Sequence, residues 1–112
     1  MKKRFILTAM CLAHGVSLAG TMVIGHVKEI QLNKDMGNVA FIQLDSPQTS
    51  PIACQTNVGW TYTIPLVTDM DKKMFAVLSM ALASGQTVRL YGSGACSDFG
   101  AVESARAVSI QQ

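Results

Sequence analysis

Apolar residues along this chain follow three different spacings, and each spacing predicts a different element. From Met22 to Leu32 apolar and polar residues alternate as in a half-buried strand, but the phase slips. Val23 and Val27 share one parity, Ile30 and Leu32 the other, with Lys28-Glu29 between them. A parity change inside one strand predicts a bulge that bends it. The polar, glycine-containing stretch Asn33 to Asn38 suits a hairpin turn. Val39 to Leu44 reads as a second strand, Ser46 to Pro51 as a loop, and Ile52 to Thr56 as a short third strand carrying Cys54. Trp60 to Leu66 also alternates, but Pro65 interrupts it, so it reads as an irregular or edge segment.

The spacing then changes to three and four. Met70, Met74, Val77, Leu78 and Ala81 form one stripe, widened by Phe75 and Leu82, which predicts an amphipathic helix with that stripe inward. Thr68 is a good N-cap, Asp69 and Asp71 complement the dipole in the first turn, and Gly85 supplies a left-handed stop after Ser84. The outer face is charged only at Asp69, Lys72 and Lys73. Its second half offers Ala76, Ser79, Met80 and Ala83, so a partner is expected on that surface, with Ala76, Met80 and Ala83 as interface positions. The alternative is that short apolar side chains are simply tolerated in solvent. Alternation returns at Gln86 to Tyr91, with Val88 and Leu90 inward and Arg89 and Tyr91 outward. A glycine-rich loop, Gly92 to Cys96, and a last strand over Glu103 to Ile110 follow.

The third pattern is an apolar run, Phe5 to Ala19, broken only by Thr8, His14, Gly15 and Ser17, behind the basic Met1-Lys2-Lys3-Arg4. This is the pattern of a secretory signal, with Ser17 and Ala19 placed for cleavage before Gly20. The expected organisation is therefore a signal peptide over 1–19 and one domain over 20–112, secreted or periplasmic. Because apolar character continues to Ile24, an uncleaved anchor is the open alternative. A lipidated Cys11 fits less well, since Met10 is a poor residue before it. After cleavage no membrane span is expected.

Removing the signal alters the charge. The formal +2 of the whole chain includes Lys2, Lys3 and Arg4. The remaining Lys28, Lys34, Lys72, Lys73, Arg89 and Arg106 face seven carboxylates, which leaves the mature chain near −1. A nucleic-acid binder needs clustered cations on the folded domain, so that function class is disfavoured. Cys54 and Cys96 remain as an even pair, read as a disulfide in an oxidising compartment, with two separate buried thiols as the alternative.

Candidate chemistry is sparse. No His/Cys grouping has metal-ligand spacing, and no cofactor motif is present; His26 reads as a rim residue and Asp69/Asp71 as helix-capping carboxylates. Gly92-Ser93-Gly94 lacks the spacing and the strand-to-helix setting of a nucleophile elbow. An enzyme is therefore not expected. Trp60, Tyr62 and Tyr91, with Arg89 nearby, combine aromatic faces with donors and form the candidate ligand-binding set. The alternative is that Trp60 and Tyr62 only cover one end of the domain.

Three strands, a helix and two strands, with a bent first strand, is the order of an OB-fold: mainly β with one helix, in a small five-stranded barrel. Ser50-Pro51-Ile52-Ala53-Cys54, then Trp60, then a helix ending Ala83-Ser84-Gly85-Gln86-Thr87-Val88-Arg89-Leu90, resembles the B subunits of subtilase cytotoxin and of pertussis-like and typhoid-type toxins. The resemblance runs from about Val23 to Tyr91 and implies a homopentameric, glycan-binding ring that carries an enzymatic A subunit. The chain departs from the family at Ile42, where those toxins carry the cysteine that pairs with the match of Cys54. It also lacks the serine-containing stretch that precedes their first strand. The functional expectation is a secreted binding module of this kind. Its alternative is a stand-alone exported OB-fold protein with a structural or protein-interaction role.

Overall fold

The computed structural model describes residues 20–112. The segment read as a signal peptide, with the anchor alternatives and Cys11, lies outside the described residues. Strand β1 spans Met22–Leu32 and buries Val23, Gly25 and Val27 in alternation, after which Ile30 takes over as the inward residue. Its register against the next strand shifts between Val27 and Glu29, which leaves Lys28 as the extra residue of a bulge. The bulge is where the expected parity change falls. It lets one strand serve two neighbours: Met22–His26 pair with β4, and Val27–Leu32 with β2. A short 3-10 turn, Lys34–Met36, leads into β2, Val39–Leu44. This strand is buried on both faces, with Ala40, Ile42 and Leu44 toward the helix and Val39 and Phe41 away from it.

The third strand is not where the sequence pattern put it. Ile52 to Thr56 is a turn, closed by the Gln55 N–H on the Ile52 carbonyl at 3.0 Å. The N–H groups of Thr56 and Asn57 donate to the Ala101 carbonyl at 3.0 and 3.1 Å, so a neighbouring loop satisfies the backbone that a sheet partner would have. The ladder on β2 is taken by β3, Tyr62–Pro65, within the segment read as irregular. Pro65 is tolerated because it ends the ladder, and the Leu66 N–H continues it to the Asn38 carbonyl at 2.8 Å.

Helix α1, Asp69–Ser84, has the expected ends. The Asp71 N–H donates to the Thr68 hydroxyl at 3.1 Å, and the Thr68 N–H donates to the Asp71 carboxylate at 2.9 Å, a reciprocal capping box. Gly85 closes the helix at φ 73°, where a side chain would be strained. The inward stripe is narrower than its sequence pattern: Met74, Leu78 and Ala81 are buried, and Phe75 packs beside them. Met70 and Leu82, expected inward, are 62% and 42% exposed. The sixteen-residue helix is about 24 Å long. It packs chiefly on β1 and β5.

Strands β4 (Thr87–Gly92) and β5 (Ala105–Gln111) complete a single antiparallel sheet of order β3-β2-β1-β4-β5. The expected last strand began at Glu103; in the structure Glu103 and Ser104 precede it. One isolated parallel bridge, Thr63 with Ser104, links the two edges of the sheet, through the Thr63 N–H on the Glu103 carbonyl at 3.0 Å. Cys54 and Cys96 form a disulfide that ties the β2–β3 connection to the β4–β5 connection. No helix of the described residues is long and apolar enough to cross a membrane.

Candidate functional site

The four candidate ligand-binding residues fall into three separate places. Tyr62 is fully buried, because the alternation of β3 puts it inward beside Ile64. Its phenol lies 2.6 Å from the Thr21 hydroxyl, and burial pushes its pKa above the usual tyrosine range. Tyr62 thus belongs to the core and offers no surface to a ligand, which corrects the sequence reading.

Trp60 lies before β3 begins and packs on the other face of the sheet. Its ring centroid is 5.7 Å from that of Phe41, which Phe99 meets edge-on at 5.1 Å. The trio seals the outward side of β2. Trp60 also borders two shallow hollows, one with Gln31, Met36 and Asn57, the other with Pro47, Gln48 and Val58. Neither includes Arg89 or Tyr91.

Arg89 and Tyr91 do sit together. Both point outward from β4, and Arg89 Nη1 donates to the Tyr91 hydroxyl at 3.3 Å. Their cross-strand partners on β1 are Ile24 and Met22, which are 43% and 50% exposed. Ser109 and Ala107 flank them on β5. A cation, a phenol and two exposed apolar side chains on one sheet face can stack on an apolar ring and hydrogen-bond its substituents. Arg89 Nε is buried and has no hydrogen-bond partner among the described residues.

Two polar groupings escaped the sequence reading. At the start of β2's exit, Asp45 Oδ2 is 2.9 Å from His26 Nδ1, and the His26 N–H donates to Asp45 Oδ1 at 2.7 Å. The backbone N–H bond, with the imidazole bond behind it, holds the Asp45 carboxyl below its ordinary range. His26 Nε2 lies 3.4 Å from the Thr87 hydroxyl, too long to activate it. The Asp45 N–H also donates to the His26 carbonyl at 2.9 Å. The grouping therefore clamps the point where β1 changes neighbours, which explains it without chemistry on a substrate. Among the described residues no three His, Cys, Asp or Glu side chains are grouped to hold a metal.

The second grouping is internal. Glu103 is fully buried, and its carboxylate accepts from the Thr21 hydroxyl at 2.6 Å, the Thr21 N–H at 3.3 Å and the Gly94 N–H at 2.9 Å. The Gln55 side chain accepts the Glu103 N–H and donates to the carbonyls of Asn57 and Trp60 at 2.8 and 2.9 Å. The sequence signal was only a lone carboxylate next to Val102, because every partner is remote along the chain.

On α1, Ala76 and Ala83 are exposed and Met80 is 57% exposed, so the positions expected at an interface do face outward. Comparisons with family models, with curated proteins and with solved structures gave no match to this chain.

Proposed function

We propose that the chain is an exported, non-enzymatic binding module, an OB-fold-like barrel resembling a toxin B subunit, that self-associates through the outer face of α1. The observation that carries this reading is the apolar second half of that face. Ala76, Met80 and Ala83 fall at i, i+4 and i+7 and form one exposed stripe. A helix face of this composition is better covered than left in water. The strand-helix order, the bend in β1 and the edge-linking bridge at Thr63 support the barrel. The Cys54–Cys96 disulfide suits a secreted or periplasmic setting.

In this reading the ligand face is Arg89 and Tyr91 with Met22 and Ile24, and a glycan is the ligand class that an aromatic ring beside a fixed donor fits best. Trp60 lies on the other half of the sheet and serves packing. An A-subunit-like protein would be the cargo of such a ring.

The test is the native mass of residues 20–112 by light scattering, for the wild type and for Met80→Lys. A pentamer that Met80→Lys converts to monomer supports the reading. A wild type that stays monomeric at all accessible concentrations overturns it in favour of a stand-alone exported module. For the ligand face, Tyr91→Ala that leaves glycan-array binding unchanged removes the site.

A further inference from the structure

We propose that the α-ammonium of Gly20, released when the preceding segment is removed, is the counter-ion of the buried Glu103 carboxylate. Cleavage would thereby complete a charge pair that the fold already holds half-built. This rests on the export-signal reading for the position of the cut, but the pairing itself stands on the geometry around Glu103.

Glu103 is fully buried, and among the described residues no Lys, Arg or His nitrogen lies within ion-pair distance of it. A buried carboxylate with neutral donors only is costly unless a cation joins it. The hydrogens around it all run one way. The Thr21 hydroxyl gives its single proton to Glu103 and so accepts from the Tyr62 phenol, while the N–H groups of Thr21 and Gly94 also point at the carboxylate. Each of these contacts presents a donor to the carboxylate. The room for it is made by Gly92, where any side chain would overlap the Glu103 carboxylate.

Gly20 is exposed and lies next to the chain segment that faces Glu103. A Cβ on Gly20 would collide with the Gly92 carbonyl oxygen and crowd the Gly94 nitrogen, both backbone atoms that cannot step aside. Residue 20 is therefore held against the same loop that donates to Glu103. Its nitrogen is one residue from Thr21 N, which is 3.3 Å from Oε2. Backbone dimensions then keep the Gly20 nitrogen within roughly 7 Å of the carboxylate. In the uncleaved chain that nitrogen is a neutral amide. Hydrolysis of the Ala19–Gly20 peptide bond by an endopeptidase sends the water's hydroxyl to the Ala19 carbonyl carbon and its proton to the Gly20 nitrogen, and the new Ala19 carboxyl ionises, its proton passing through solvent to the amine. The product is an ammonium with three donors, free to turn toward Glu103.

Three measurements test the proposal. The intact mass of protein exported from cells expressing the full chain should correspond to a start at Gly20; a start elsewhere overturns the assignment of the terminus. The pairing is tested on protein released from a removable tag with Gly20 first, against the same protein retaining Ser17-Leu18-Ala19. The extension should lower Tm by roughly 5–10 °C in the wild type and by less than about 2 °C in Glu103→Gln. An equal loss in both backgrounds shows a steric effect and refutes the pair. Should Glu103→Gln fail to fold, the Gly20 α-amino titration in the wild type decides alone. A midpoint clearly above the ordinary value of about 8 supports the pair, and one at or below it refutes it.

Discussion

Removing the Cys54–Cys96 disulfide should cost this domain a large share of its stability, and most of the cost should arise in the unfolded chain. The bridge spans a sequence separation of 42 residues. Closing a loop of that length removes about 4 kcal/mol of unfolded-state entropy at room temperature. A domain of this size has only about 5–10 kcal/mol to spend. The double variant Cys54→Ala/Cys96→Ala should therefore remain folded but with Tm lower by roughly 15–30 °C. The native side adds a smaller contribution. Cys54 anchors the turn that presents Gln55, and Cys96 anchors the loop that carries Phe99 onto Phe41. The assay is urea unfolding of the oxidised protein and of the double variant, followed by circular dichroism and by the fluorescence of Trp60, the chain's one tryptophan. The variant should show a lower midpoint and a steeper denaturant slope, because its unfolded chain is less compact. A difference below about 1 kcal/mol, with both proteins folded, would refute the loop-entropy reasoning. Two free thiols in the denatured, unreduced protein would remove the bridge itself.

Other outcomes follow from the same structure. Thr68→Ala removes one half of the capping box and should cost about 1 kcal/mol in urea unfolding, with little change in the sheet. Leu78→Ala, at a fully buried position in the middle of α1, should cost about 2–5 kcal/mol; a loss under 1 kcal/mol would mean that the helix does not pack on the sheet as described. The carboxyls of Asp45 and Asp71 are both held below the ordinary aspartate range by backbone N–H bonds, from His26 and from Thr68 respectively. Lowered values mean that their ionised forms favour the folded state. Their contribution is complete above the unfolded value and is lost as pH falls through the lowered folded values. Tm should accordingly be level above about pH 5 and fall below about pH 4, and Asp45→Asn should flatten that fall.

What was legible in the sequence is what local chemistry decides. The Thr68 cap, the acidic first turn and Gly85 act within one turn of their own positions, so they can be read from neighbours in the chain. The β1 bulge was legible too, because a parity change has few other outcomes in a strand buried on one face. The third strand was misplaced because Ile52 and Cys54 mimic alternation, while the prolines at 47, 51 and 65 carry different meanings that only the partner strand reveals. Tyr62 was misread because a tyrosine suits either side of a sheet. Its side was settled by the register against Ile42. Glu103 could not be found at all, since its donors at Thr21 and Gly94 come together only when the sheet is complete.

The strand order also sets a schedule for a nascent chain. The β1–β2 hairpin can close as soon as it leaves the ribosome, since its two strands are joined by a short turn. The first half of β1 must wait, because Met22 pairs with Tyr91 and Thr21 with Glu103. Until β4 emerges, the first half of the central strand β1 keeps an open edge, and until β5 follows, α1 lacks one of its two main supports. Such long-range closure makes folding slow and the incomplete chain adhesive. A half-made copy of this protein is therefore a natural client for a holdase, and truncation after α1 should yield aggregates rather than a smaller domain.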